Sequence, residues 1–290
     1  MHKTFIILAV LLCSLCASAQ FSFSGYVNLE EWEEDVYLSV IDDYRRISTP
    51  SSEQILCKIK VDTSGYFEFT GNQLRNENKI YRIHVSSCES DVQKEKPYDL
   101  SCKVTKQVLF VAKNKDSIFF PLSFDDQIFC KMETNNPKAL TIIKVDSLKE
   151  QMKYVYSEFT TEENRKENNK KWFRNLQEIG SKSGEPLVEV YIYSFLSDRE
   201  NNFHAFYLQD LKNNPYYMEL QKRLEDTYPN STYTKQYKGE LMGDTFMQTG
   251  KIEKTTTFWE YLMYFLIIAS LIGNLVFWVF FKKKKTNEEE

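Results

Sequence analysis

The chain has 290 residues, 37 Lys and Arg against 41 Asp and Glu for a formal net charge of −4, and 15% aromatic side chains. Such mild acidity provides no field to hold a nucleic acid. Abundant aromatics with only 9 glycines and 7 prolines exclude a disordered or collagen-like chain and call for a packed core.

His2 and Lys3 precede the apolar run Phe5 to Leu12, and Ala17-Ser18-Ala19 supplies the small-x-small pattern a signal peptidase needs before Gln20. Residues 1–19 therefore read as a cleaved export signal. The run is short for an uncleaved anchor. Leucines, not small residues, precede Cys13 and Cys16, which argues against lipid attachment.

From Phe21 to about Lys131 the pattern is β. Phe21, Phe23 and Val27 begin it, Val36 to Ile41 continue it, and Ile55, Cys57, Ile59 and Val61 alternate with mostly polar neighbours, as in a half-buried strand. Asp62-Thr63-Ser64-Gly65 is a turn sequence before Tyr66-Phe67-Glu68-Phe69, which predicts a hairpin. Lys79 to Ser86, Gln107 to Ala112 and Ser117 to Phe124 add further strands, with a turn at Asn114-Lys115-Asp116. Six to eight short strands of this spacing predict a sandwich.

After Asn135-Asn136-Pro137 the period becomes helical. Leu148, Met152, Val155 and Phe159 share one helix face, and Ser147 with Glu150 has capping-box spacing at its start. Trp172, Leu176 and Ile179 form the next stripe, ended by Gly180. Pro186 opens the apolar stretch Leu187 to Leu196, placed centrally in a helical layer. Phe203 to Lys212 follows, then a helix after Asn214-Pro215, a break at Tyr228-Pro229-Asn230-Ser231, and a last helix from Thr232 to Met242. No helical repeat period recurs.

Asp244 to Thr257 reads as a polar connector. Between Phe258 and Phe281 only Glu260 is charged, so this run of about 24 residues is long enough to cross ~30 Å of hydrocarbon. Lys282, Lys283, Lys284 and Lys285 follow as a stop-transfer signal that stays cytoplasmic. The body is thus placed outside the cytoplasm, and residues 20–257 carry five more acids than bases once Lys3, Glu260, the four tail lysines and Glu288 to Glu290 are set aside. Within the span, Asn274 beside Gly273 is a candidate for association between two copies, because an amide in hydrocarbon seeks a partner.

Cleavage leaves Cys57, Cys88, Cys102 and Cys130, an even number in an exported body and so candidates for disulfides. Cys88 with Cys102 is the favoured pair, closing a loop of about 15 residues worth about 3 kcal/mol. Cys57 either pairs with Cys130 or is simply buried. The mature chain has no C-x-x-C and no zinc spacing, so neither a redox centre nor a metal site is expected.

His84 and Cys88 are four apart in a strand region, and His204 lies among Phe203, Phe206 and Tyr207; both histidines read as packed or surface residues. With no nucleophile–base pair, neither enzymatic activity nor a cofactor is expected. Glu162 and Glu163 belong to a solvated charged run, and Asn230-Ser231-Thr232, although a glycosylation sequon, is explained by a turn.

The opening segments Phe21-Ser22-Phe23-Ser24-Gly25-Tyr26-Val27, Val36-Tyr37-Leu38, Val61 to Phe69 and Ile80-Tyr81-Arg82-Ile83 resemble the small β-sandwich domain that precedes thioredoxin in Bacteroidota envelope proteins. Tyr191 to Leu196 and Tyr228-Pro229-Asn230-Ser231 resemble the connecting region of those proteins. Here a membrane span stands where their thioredoxin domain would be, so redox activity does not carry over. In layout the chain is similar to membrane-anchored LuxR-type regulators, without the helix-turn-helix those carry after the span. Taken with the patterns above, the chain is expected to be an α+β protein: a periplasmic β-sandwich over residues 20–135, an α-helical hairpin domain over 136–243, a connector over 244–257, one transmembrane helix over 258–281 and a basic cytoplasmic tail over 282–290. The expected function is a single-pass sensor or binding module in the inner membrane that signals through a protein partner or a homodimer and does not itself bind nucleic acid. The alternative is a structural or assembly subunit of an envelope complex.

Overall fold

The computed structural model describes residues 20–87, 104–123, 131–158, 161–249, 262–263 and 265–274. Eight strands form two four-stranded sheets: β1 (Phe21–Tyr26), β2 (Asp35–Ile41), β3 (Ile55–Lys60), β4 (Tyr66–Gly71), β5 (Lys79–Ser87), β6 (Val104–Ala112), β7 (Ser117–Ser123) and β8 (Glu133–Thr134). The first sheet has the order β4-β1-β7-β8, the second β3-β2-β5-β6. Only the β1–β7 pair is parallel among the described pairings. The architecture is therefore mixed α+β with two sheets, followed by helices.

Alternation decides which face of each strand is dry. Phe21 and Phe23 of β1, Phe67 and Phe69 of β4, and Ile118 and Phe120 of β7 meet Val36, Leu38, Tyr81, Ile83, Val85, Val108 and Phe110 of the other sheet in one core. Phe23 packs against Phe110 at 5.0 Å between centroids and against Tyr81 at 6.1 Å. At the edge of the second sheet, β3 turns Leu56, Lys58 and Lys60 to solvent while Cys57 and Ile59 pack inward, and exposed lysines discourage further strand pairing there.

The expected hairpin over Ile55 to Phe69 is corrected. The turn is present, with Asp62 Oδ1 accepting from Ser64 N at 2.8 Å and Tyr66 N at 3.0 Å. Yet β3 pairs with β2 and β4 with β1, so the turn carries the chain from one sheet to the other. Gly65 makes this crossing possible. Its φ is +78°, and its carbonyl accepts from Val27 N at 2.9 Å, so an added Cβ would lie 2.1 Å from the Val27 carbonyl oxygen. Gly65→Ala is expected to cost about 2–3 kcal/mol of stability, read as a lower urea midpoint; an unchanged midpoint would mean the arch is not held as described.

Among the described residues up to Thr249 six helices follow: α1 (Ala139–Glu158), α2 (Glu162–Lys182), α3 (Pro186–Leu196), α4 (His204–Leu211), α5 (Tyr216–Thr227) and α6 (Thr232–Thr249). Their starts are local chemistry. Asn136 Oδ1 accepts from Lys138 N at 3.1 Å, Glu185 Oε1 from Leu187 N at 3.2 Å ahead of Pro186, Asn214 Oδ1 from Tyr216 N at 3.0 Å, and Ser231 Oγ from Thr234 N at 3.2 Å. Two expectations are corrected here. Ser147 and Glu150 are not a capping box, because α1 begins two turns earlier and Ser147 lies inside it. Gly180 does not end α2; the helix runs on to Lys182, and Gly184 at φ +62° follows. Gly180 is instead a point of close helix contact, where a Cβ would lie 2.8 Å from Ile192 Cδ1. The last helix also runs seven residues beyond Met242, taking in the first part of the expected connector.

The helices lie on the second sheet. Ile41, Ile80, Leu109 and Val111 turn away from the inter-sheet core and join Ile142, Val145, Leu187, Val190, Leu220, Leu224 and a group of tyrosines in a second core. Helix α3 is its centre, with nine of its residues buried, as its continuous apolar run requires. Ala139 packs into the inter-sheet core and Ile142 into the helical one, so α1 ties the two together. The described residues up to Asp244 make one compact unit.

The described residues beyond Asp244 belong to a second unit. Of the expected span, 262–263 and 265–274 are described and helical, with Gly273 and Asn274 exposed. Among the described residues no helix is long and apolar enough to cross a membrane. The remainder of 258–281, the signal 1–19 and Lys282 to Lys285 lie outside the described residues, so the transmembrane helix stands as a reading of the sequence.

Candidate functional site: an aromatic cleft beside a buried lysine

A cleft of about 390 Å3 opens between the C-terminal half of α1 and the loop joining α3 to α4. That volume lies in the range of small-molecule sites. Helix α1 contributes Lys153 and Tyr156; Phe195, Asp198, Glu200, Asn201, Asn202 and Phe203 come from the end of α3 and the loop. Tyr156 meets Phe203 edge-on at 4.9 Å between centroids, and Phe195 meets Phe203 at 5.7 Å, so three non-parallel rings form an aromatic corner.

The loop is fixed by its own side chains. Asp198 Oδ1 accepts from Glu200 N at 3.0 Å; Asn201 donates Nδ2 to the Phe195 carbonyl at 2.8 Å and accepts from Phe203 N at 3.0 Å through Oδ1. His204 Nδ1 lies 2.8 Å from the Ser197 carbonyl oxygen, so this histidine is half-buried and serves the loop. Asx-type bonds of this kind leave the loop little freedom. Behind it, Tyr207 donates to Asp244 at 2.8 Å, joining α4 to α6.

Cations line the aromatic faces. Lys153 Nζ is 5.9 Å and Lys149 Nζ 5.0 Å from the Phe195 centroid, and the Arg165 guanidinium is 5.3 Å from that of Tyr156. Lys149 is mostly buried. Its Nζ reaches Tyr191 Oη at 2.8 Å and Asp146 Oδ1 at 3.2 Å, while the Tyr191 hydroxyl also donates to Asp146. Burial lowers the Lys149 pKa, against the pull of Asp146. Burial, with Asp146 adding to it, raises that of Tyr191 well above the usual phenol range. Lys149 is held by a carboxylate of its own helix and by the Tyr191 hydroxyl of α3, and Tyr191, bonded to both, is what joins α3 to α1 here.

The residues singled out from sequence lie elsewhere. Cys57 is a free, half-buried thiol in β3, and burial raises its pKa, which makes it a poor nucleophile. Cys88, Cys102 and Cys130 lie outside the described residues. Glu162 and Glu163 are exposed in the first turn of α2, where they favour the helix dipole. Asn230 sits exposed in the turn before α6. Among the described residues no group of three or more His, Cys, Asp or Glu side chains is placed to hold a metal ion.

His84 is fully buried and stacks on Tyr37 at 5.0 Å, the rings 12° apart. Burial first, and the nearby Arg82 charge second, push its pKa down to about 3. An unfolded histidine takes up its proton near pH 6.5, so in the window between these values the unfolded chain binds more protons than the folded one. Stability from this group is whole above pH 6.5 and falls as pH drops through it. Between pH 7 and pH 5 the wild type should lose about 2 kcal/mol more than His84→Phe does, compared by urea midpoints. Equal losses would contradict the buried neutral imidazole.

Sequence reading missed the cleft. Its one legible trace was Lys149, Lys153 and Tyr156 at i, i+4 and i+7 on a single helix face. No family model, curated protein or solved structure matches this chain.

Proposed function

We propose that this chain is a membrane-anchored extracytoplasmic binding module, the sensing part of a regulator with the layout of the membrane-tethered LuxR type. In this reading the strands form a periplasmic β-sandwich, a helical-hairpin domain follows, and residues 258–281 cross the inner membrane as one helix. The observation that carries it is the aromatic-lined cleft of about 390 Å3 on a body that, in sequence, stands between an export signal and a lysine-closed apolar run. Ligand binding at the cleft passes to a protein partner through the span, where Gly273 and Asn274 favour pairing of two copies.

A second reading, a structural or assembly subunit of an envelope complex, draws on the exposed apolar side chains Tyr154, Met218 and Met242, which offer contact area to a partner. Membrane fractionation tests the shared premise. The full chain should remain with the membrane after carbonate washing, and a variant lacking 258–281 should be released. Release of the full chain would sink both readings. Between them, a stable complex that survives Asn274→Leu favours the assembly subunit, and loss of self-association in that variant favours the sensor.

A further inference from the structure

We propose that the cleft takes a small organic cation, an amine carried on an aromatic ring or a short hydrocarbon chain. This rests on the binding-module reading and names its ligand class. Three observations support it. Tyr156 and Phe195 are half-buried and present ring surface to the cleft, with the buried Phe203 packed between them, and the protein already sets cations of its own against these rings, Lys149 and Lys153 on Phe195 and Arg165 on Tyr156. Asp198 and Glu200 line the cleft and are exposed. Lys153, the cation lining the cleft, is already matched by Glu150 at 2.7 Å, and Lys149 behind it by Asp146 at 3.2 Å. Among the side chains that line the cleft two carboxylates therefore stand against one ammonium, with the Arg165 guanidinium further off against Tyr156. An anionic guest would face two carboxylates and compete with Glu150 for Lys153; an ammonium group would meet the carboxylates while its hydrocarbon part covers the rings.

The test uses the full chain in lipid nanodiscs with two probes of similar shape, 2-phenylethylamine and 3-phenylpropanoate, followed by ligand-observed NMR titration at neutral pH. The amine should bind at least about tenfold more tightly than the carboxylate, and Asp198→Asn combined with Glu200→Gln should weaken the amine by about tenfold. Both replacements keep the shape and an acceptor oxygen, and a melting temperature equal to that of the wild type shows that the fold is intact. Equal or tighter binding of 3-phenylpropanoate overturns the proposal, as does a double variant that binds the amine unchanged. If neither probe binds at millimolar concentration, the ligand class falls as well. None of these results touches the anchoring of the chain, which the fractionation reads separately.

Discussion

Arg82→Met is expected to lower the free energy of unfolding by about 3–5 kcal/mol. The guanidinium is fully buried on β5, on the side of the second sheet that faces away from the inter-sheet core. It donates Nη1 to Gln54 Oε1 at 3.0 Å and Nη2 to the Arg46 carbonyl at 3.0 Å, and a further short bond runs from Nη2 to the Ile47 carbonyl. One side chain thus satisfies the connection between β2 and β3 at two 3-10 turns, Tyr44–Arg46 and Ser52–Gln54. Methionine keeps much of the apolar stem but supplies no donor, so the Ile47 carbonyl and the Gln54 side chain are left in a dry place without this partner. The loss should appear as a lower urea midpoint, accompanied by faster amide exchange over residues 44–54. A loss under about 1 kcal/mol would mean that the loop finds other partners.

Phe23→Ala should cost about as much, 3–5 kcal/mol, for a different reason. Phe23 is fully buried in β1, and its ring meets Phe21 at 5.0 Å, Phe110 at 5.0 Å and Tyr81 at 6.1 Å. Phe110 and Tyr81 belong to the opposite sheet, so removing the ring opens a cavity where the two sheets meet. Rigid strands on both sides limit collapse, which puts the site toward the costly end of large-to-small substitutions. Phe23→Leu fills part of the space and should recover roughly half of the loss. If alanine and leucine cost the same, the ring contacts are not what joins the sheets.

The strands were legible because a half-buried strand writes its exposure into alternate residues. Ile55, Cys57 and Ile59 are the inward positions of β3, as the period of two predicts. Pairing was not legible. Asp62 to Gly65 has the composition of any tight turn, and whether it closes a hairpin or crosses between sheets is decided by the distant Val27 amide that the Gly65 carbonyl accepts. The start of α1 was hidden because Leu140, Ile142 and Ile143 suit a strand as well as a helix, and tertiary packing against both cores settles it. Gly180 carried an ambiguous signal, since a helix-ending glycine and a close-packing one look alike in sequence. Cleft residues such as Asp198 and Phe203 meet Tyr156 only after two helices have folded back, so no local spacing reports them.

In the topology proposed above, the folded body lies outside the cytoplasm and the lysine-rich tail inside. Peptide-resolved labelling with a membrane-impermeant maleimide tests it in intact spheroplasts expressing the full chain. Two variants suffice: Glu53→Cys, at an exposed position in the connection before β3, and Thr286→Cys in the tail. The first should be labelled in intact spheroplasts and the second only after the membrane is permeabilised. Labelling of the tail from outside, or protection of position 53 until lysis, would contradict that topology.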